Sequence, residues 1–372
     1  MSNRAKRLHD SPWLGVFYLT GGGVSLLAEM LGLGGASRTV LEARIPYAAK
    51  ALAELLGTEP EQACSEVTAR ALAMSAFQRA RHLSIGPEPG PTQSAPTTAP
   101  FGLACTASLA TDRTKRGQHR AHAAIQTREA TYTAFWTFSG TREEEERALT
   151  ERLWAKLGQA LAIDGVGESI EIRHTAGKPA WQALILGESQ ALATADHDGR
   201  LLLPGAFNPL HDAHRQMLTI AEELTDLAGA YELSVANVDK PFLDYREIES
   251  RLAQFDRPVW LTRLPTFLEK ARQFPGATFV VGIDTLIRIA EPKYYGNPAM
   301  RDEALAELAE FGVRWLVFGR EIDGHFRVLS DFAASLPKSL VDRAEEVGAD
   351  RFRNPASSTS IRRRGSSTDS NS

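Results

Sequence analysis

The chain has 372 residues, 43% hydrophobic and 24% charged, with a net charge of −4. That length exceeds one typical core and points to about two domains, and the near-neutral balance gives no electrostatic reason to expect nucleic acid as a partner. Cys64 and Cys105 are the only cysteines, too few for a disulfide framework or a thiolate metal cluster, so a reducing, cytoplasmic setting is the expectation.

The first 23 residues, MSNRAKRLHDSPWLGVFYLTGGG, run from basic to apolar, but Gly21, Gly22 and Gly23 break the apolar run. They read as a short strand and a glycine turn, not a signal peptide, and no apolar segment reaches bilayer length. VSLLAEMLGL then reads as a short helix, AKALAELLG as a helix closed by Gly57, and CSEVTARALAMSAFQRARHL as a longer amphipathic helix. Residues 86–100, rich in Pro, Gly, Ser and Thr, read as a linker or long surface loop. FGLACTASLA, HAAIQT and TYTAFWTFSG read as strands, and TREEEERALTERLWAKLGQAL as a helix capped by Thr141. Its acidic run is expected to complement the helix dipole and remain solvated. His119, Arg120 and His122 admit an anion site, or a basic turn entering a strand, which is the more common case.

From residue 199 the alternation is cleaner. LLLP, ELSVANV, ATFVVGI and VRWLVFG read as strands. The intervening helices are residues 211–228, PTFLEKARQF and DEALAELAEF, and SLVDRAEEVG reads as a final helix. This order implies a doubly wound parallel sheet with ligands at the carboxyl ends of its strands. PGAFNPLHDAH sits at the end of the first strand, where Gly205 lets the chain turn and the next helix presents free N–H groups suited to phosphate. His211 and His214, three apart, share a face of that helix. Alone, the pair admits a phosphate site, two metal ligands or surface decoration, and no third metal ligand stands at a helpful spacing. NPASSTSIRRR, residues 354–364, adds a second anion-binding cluster in Ser357, Ser358, Thr359 and Arg362.

Together these two stretches resemble the nucleotidylyltransferase superfamily, whose signatures are a GxFNPxHxGH loop and a late ISSTxIR motif. The nearest likeness is to the nicotinamide-nucleotide adenylyltransferases, over residues 199–364. The resemblance implies attack by a mononucleotide 5'-phosphate on the α-phosphorus of ATP, with release of pyrophosphate and Mg²⁺ bridging ATP oxygens. His211 and His214 would act on the transferring phosphoryl group. Gly205, Ala206, Phe207, both histidines, Ser357, Ser358, Thr359 and Arg362 would bind ATP. Asn208, Asn237, Lys240, Gly282 and Asp284 would bind the mononucleotide, while Arg320 in VFGRE matches the family's late strand. No dedicated protein metal site is implied. Ala213 departs from the family's glycine.

The first half resembles the CinA C-terminal family, which includes nicotinamide mononucleotide deamidases, over about residues 12–162. The anchors are Thr20-Gly21-Gly22, Gly35-Ala36-Ser37, Tyr47 with Lys50, and CTASLATD from Cys105. The glycine turn before a helix again reads as a phosphate cradle. Tyr18 and Leu19 stand before Thr20 where the family's Glu-Ser-Cys-Thr-Gly-Gly carries its nucleophilic serine, so the acyl-transfer route to deamidation is lost. Binding, scaffolding or homo-oligomerisation is then the expected role.

The expected architecture is α/β in two domains. Residues 10–162 form a CinA-like domain, 163–198 a connecting segment, 199–364 a Rossmann-like doubly wound nucleotidylyltransferase domain and 365–372 a disordered tail. The leading function is adenylyl transfer from ATP to nicotinamide mononucleotide, giving NAD. The alternatives are a catalytically weak nucleotide-binding regulator or residual deamidase activity. No membrane partner is expected.

Overall fold

The computed structural model describes residues 3–84, 98–112, 117–166, 173–238 and 240–354. The chain divides into two compact α/β units, residues 1–182 with 239–247, and residues 183–238 with 248–372. Residues 173–182 and 240–247 therefore fold with the first unit, although the sequence assigned them to a connector and to the second domain.

The first unit opens on α1 (Asn3–His9), β1 (Trp13–Thr20), α2 (Ser25–Leu31) and β2 (Val40–Arg44). Helices α3 (Ala49–Leu56) and α4 (Glu66–Ser84) follow, then β3 (Ala99–Ser108), β4 (His119–Gln126), β5 (Ala130–Phe138), α5 (Arg142–Ala160) and β6 (Arg173–Ala176). Its six-stranded sheet has the order β2-β1-β3-β4-β5-β6, with β1 parallel to both neighbours and the remaining pairs antiparallel. Strand alternation gives the sheet two apolar faces. Phe17, Leu19, Leu103 and Ile125 pack with α2 and α5, while Val16, Tyr18 and Ala104 pack with α3 and α4. Gly102 is required where α4 crosses the sheet, because a Cβ there would stand 2.2 Å from the Ala73 carbonyl oxygen. Thr141 caps α5 as expected, and Glu144 completes a capping box with it.

The second unit follows the start of α6 (Pro179–Leu186) with β7 (Ala191–Ala193), β8 (Leu201–Pro204), α7 (Asp212–Thr225) and β9 (Ala230–Ser234). After α8 (Tyr245–Leu252) come β10 (Val259–Thr262), α9 (Phe267–Gln273), β11 (Thr278–Gly282), α10 (Ile283–Ala290) and α11 (Pro298–Glu310). The described part ends with β12 (Arg314–Phe318), the hairpin β13 (Arg320–Ile322) and β14 (His325–Arg327), α12 (Lys338–Val341) and β15 (Ala344–Val347). The seven-stranded sheet has the order β15-β12-β11-β8-β9-β10-β7. Strands β8, β9 and β10 run out to one side and β11, β12 and β15 to the other, all parallel, with β7 antiparallel at the edge. This is the doubly wound arrangement, and its switch in direction falls between β8 and β11.

SLVDRAEEVG is not the single helix expected from its sequence. It forms the one-turn α12 and then β15, which pairs in parallel with β12 from Ala344 to Val347. Glu345 and Glu346 look helical in isolation, but at a sheet edge they stay exposed while Val347 is buried, so tertiary pairing overrides local propensity. Among the described residues, no helix is long and apolar enough to cross a membrane.

Candidate active site

The second unit's cavity lies at the β8–β11 switch point. It is walled by the end of β8, the first turns of α7 and α10, the end of β12 and Asn354. Gly205, His211, Ala213, His214, Gly282, Asp284 and Arg320 all line it.

The turn that delivers the histidines is not built as the sequence suggested. Phe207, not Gly205, takes the left-handed conformation, with φ of 46°. Gly205 instead supplies space, because a Cβ there would lie 2.7 Å from the Phe207 ring. That ring is buried, edge-on to His214, Tyr231 and Phe255 at centroid distances of 5.1, 5.2 and 5.1 Å. The expectation that Phe207 binds ATP is therefore corrected for its side chain: the aromatic cluster holds it, and it holds His214. Ala206 is exposed, and its carbonyl accepts a hydrogen bond from Arg251.

His211 is the N-cap of α7, and His214 sits in its first turn. Their rings stack at 3.7 Å with an interplanar angle of 22°. The His211 backbone N–H donates to Nδ1 of His214 at 3.3 Å, which assigns the His214 proton to Nε2. Burial pushes His214 down to about 3, helped by His211 and Arg320, and burial and Arg320 also lower His211. Both imidazoles are accordingly neutral near pH 7. They are hydrogen-bond donors at a helix N-terminus, not cations, a suitable arrangement for an anionic phosphoryl group.

Across the cavity, Arg320 Nη1 stands 3.3 Å from Asp284 Oδ2. Asp284 Oδ1 is buried without a hydrogen-bond partner among the described residues, as is His211 Nδ1. Gly282 makes room for that carboxylate, since a Cβ there would lie 2.5 Å from Oδ1. Ala213, 4% exposed, is among the residues that line the cavity.

Other site expectations fare differently. Asn208 and Asn237 are exposed and do not line the cavity. Lys240 is exposed and belongs to the segment that folds with the first unit. Asn354, where NPASSTSIRRR begins, lines the cavity and donates to Gln216 Oε1 at 2.9 Å. Ser357, Ser358, Thr359 and Arg362 lie outside the described residues. Arg320 was legible only as a strand match, although its position just past β12, at the carboxyl end of a parallel strand, was the available signal. Among the described residues, no group of three His, Cys, Asp or Glu side chains is placed to hold a metal ion.

The first unit's glycine turn is closed from within. Glu146 on α5 accepts from the N–H groups of Gly23 and Ser25 at 2.8 and 3.1 Å, taking the bonds expected for a phosphate. Its neighbour Glu145 is buried, with one oxygen 2.6 Å from the Ala110 nitrogen and the other 2.7 Å from His119 Nδ1. Solvation and dipole complementarity thus describe only the first half of the acidic run. His119, Arg120 and His122 lie within β4, with His119 on one face and Arg120 and His122 on the other, so the three do not converge. Leu19 is fully buried, Thr20 donates to the Pro46 carbonyl, and Tyr47 and Lys50 are exposed. Burial raises the Cys105 thiol far above its ordinary range. Gly35 adopts a positive φ of 104°, with Ala36 and Ser37 in the short 3-10 turn that follows.

No family model matches the chain. It is similar to a Schizosaccharomyces pombe protein named "Putative nicotinamide mononucleotide adenylyltransferase", with 28% identity over 138 residues covering 33% of this chain and 54% of that protein. The chain thus spans about half the length of the curated relative it matches. Among solved structures it is similar to a competence-damaged (CinA) superfamily protein from Klebsiella pneumoniae, with 15% identity and a TM-score of 0.34, covering 43% of this chain and 94% of that one. A competence/damage inducible protein from Agrobacterium tumefaciens matches at 18% identity and a TM-score of 0.32, covering 44% of this chain and 94% of that one. The adenylyltransferase resemblance drawn from the sequence has a counterpart in the name of the Schizosaccharomyces pombe relative.

Proposed function

We propose that the protein is a nucleotidyltransferase that moves the adenylyl group of ATP onto nicotinamide mononucleotide, forming NAD and pyrophosphate in the cytoplasm. The observation that carries this reading is the pair of neutral, stacked histidines at the N-terminus of α7, set at the topological switch point. Nε2 of His214 donates toward the phosphoryl group, Phe207 fixes its ring, and Nδ1 is already occupied by the backbone. The mononucleotide phosphate oxygen forms a bond to the α-phosphorus as the bond to the β-phosphate oxygen breaks, and pyrophosphate leaves. Asp284, on the cavity wall, accepts a hydrogen bond from a ligand hydroxyl through its exposed carboxylate oxygen, Oδ2. Mg²⁺ would be supplied with ATP as its complex.

The test is a panel of mononucleotide acceptors with ATP and Mg²⁺, scored by pyrophosphate release and product mass. A product of the mass of NAD, formed only with both substrates, is expected. Pyrophosphate release indifferent to every acceptor would sink the reading. One observation favours a second reading, binding without turnover: an alanine, Ala213, lines the cavity where the resemblance expects glycine. It predicts calorimetric binding of ATP or mononucleotide with no product.

A further inference from the structure

Among the described residues, Asp284 and Arg320 are the charged side chains on the cavity wall, and they face each other at 3.3 Å. With both histidines neutral, Arg320 is the cationic side chain among the described residues that line the cavity, and Arg215 adds its charge from nearby. It is close enough to both imidazoles for its charge to oppose their protonation, so an anion seated on the histidines also lies in its field. Its side chain is 44% exposed and anchored at the start of the β13–β14 hairpin, leaving the guanidinium freedom to reorient. Asp284 is tied more closely, because Oδ1 is buried in the space left by Gly282. We propose that Arg320 is the residue that binds the phosphate chain of the nucleotide, and that Asp284 is an internal carboxylate competing with that chain for the same guanidinium.

The competition has a chemical consequence. A phosphate chain that draws Arg320 away frees Asp284 Oδ2, the oxygen outside the space left by Gly282, to accept from a ligand that also carries a donor such as a sugar hydroxyl. Phosphate recognition and hydroxyl recognition are then coupled through one arginine. A plain surface ion pair would instead gain little and couple nothing. This inference rests on the phosphate reading of the cavity proposed above, but not on turnover.

The experiment uses the full chain and inorganic pyrophosphate with Mg²⁺ as the probe, measured by calorimetry. Arg320→Gln is expected to weaken pyrophosphate binding at least tenfold. Asp284→Asn removes the competitor and is expected to tighten it several-fold, and the double variant should bind as weakly as Arg320→Gln alone. Arg320→Lys, which keeps the charge without the fork, should fall between. Thermal unfolding of each variant separates loss of fold from loss of binding. An unchanged affinity in Arg320→Gln, an Asp284→Asn variant that binds more weakly, or a wild-type protein that does not bind pyrophosphate overturns the proposal. If pyrophosphate binds through Arg320 but no dinucleotide forms with any acceptor, the proposal stands and the adenylyl-transfer reading fails.

Discussion

The two units share a device in sequence, a parallel strand, a glycine-bearing turn and a helix, and use it in opposite ways. In the first unit Glu146 occupies the N–H groups of the turn, and the helix behind it has seven residues. In the second, α7 has 14 residues, two neutral histidines stand at its start, and the nearest carboxylate on the opposite wall is paired with Arg320. A glycine turn before a helix is therefore a place where anions are welcome, and the fold decides whether the anion is the protein's own. That explains why one sequence pattern reads as a cradle twice and is filled from within in the first unit.

The strongest way to break this contrast is to remove the imidazoles. His211→Ala or His214→Ala should each lower the rate of pyrophosphate release by roughly 10²–10³-fold, as expected for the loss of a donor to the reacting group. Undiminished release in both variants would falsify the assigned roles. A steady-state assay across acceptor concentrations distinguishes this from weaker binding, since the effect belongs in kcat.

A second contrast sets two buried lysines against each other. Lys270 in the second unit is paired with Glu232 at 2.8 Å, whereas Lys156 on α5 is fully buried with no hydrogen-bond partner among the described residues. The same substitution should have opposite signs. Lys270→Met strands the Glu232 charge and costs about 3 kcal/mol or more. Lys156→Met stabilises by a few kcal/mol, because burial has pushed that lysine down from 10.5 to about 7. A base lowered in the folded state penalises folding fully below its folded value, and the penalty fades as pH rises from 7 toward 10.5. Thermal unfolding of wild type should thus gain on Lys156→Met across that window. A constant gap between the two would show that Lys156 is not held neutral.

Smaller effects sharpen the first contrast. Glu146→Ala leaves the Gly23 and Ser25 N–H groups without their acceptor and should destabilise the protein by roughly 2 kcal/mol while leaving pyrophosphate release unchanged. A selective loss of turnover at unchanged melting temperature would mean that the first unit's turn takes part in the reaction. Ala213→Gly should cost up to about 1 kcal/mol of helix stability and shift kcat by less than about threefold. A tenfold rise in kcat would identify the Ala213 methyl group as a brake on the second unit.

Much of this was legible in the residues, and the reasons are local. The long helices announced themselves through periodicity, and α5 through its cap at Thr141. The alternation after residue 199 foretold the doubly wound sheet and placed His211 and His214 at its switch point. What stayed hidden depends on distant partners. Nothing near Glu146 says that its oxygens meet a turn some 120 residues earlier. Edge strands such as β15 exist because a neighbour pairs with them, not because Glu345 and Glu346 favour extension. Phe207 looked like a ligand contact because it belongs to a ligand motif, whereas its ring is spent on aromatic packing.

The excursion of residues 240–247 carries a consequence for anyone who would dissect the molecule. Asp244 there is buried against Arg70 at 2.6 Å, and the Tyr245 hydroxyl donates to the Arg128 carbonyl, both within the first unit. The chain thus lends an eight-residue splice from the middle of one unit to the interior of the other. No single cut yields two intact halves, and deletion of residues 1–162 would strand Asp244 and Tyr245 without their partners. A faithful dissection would be a transplant, with 240–247 replaced by a neutral bridge in one piece and grafted onto the end of the other.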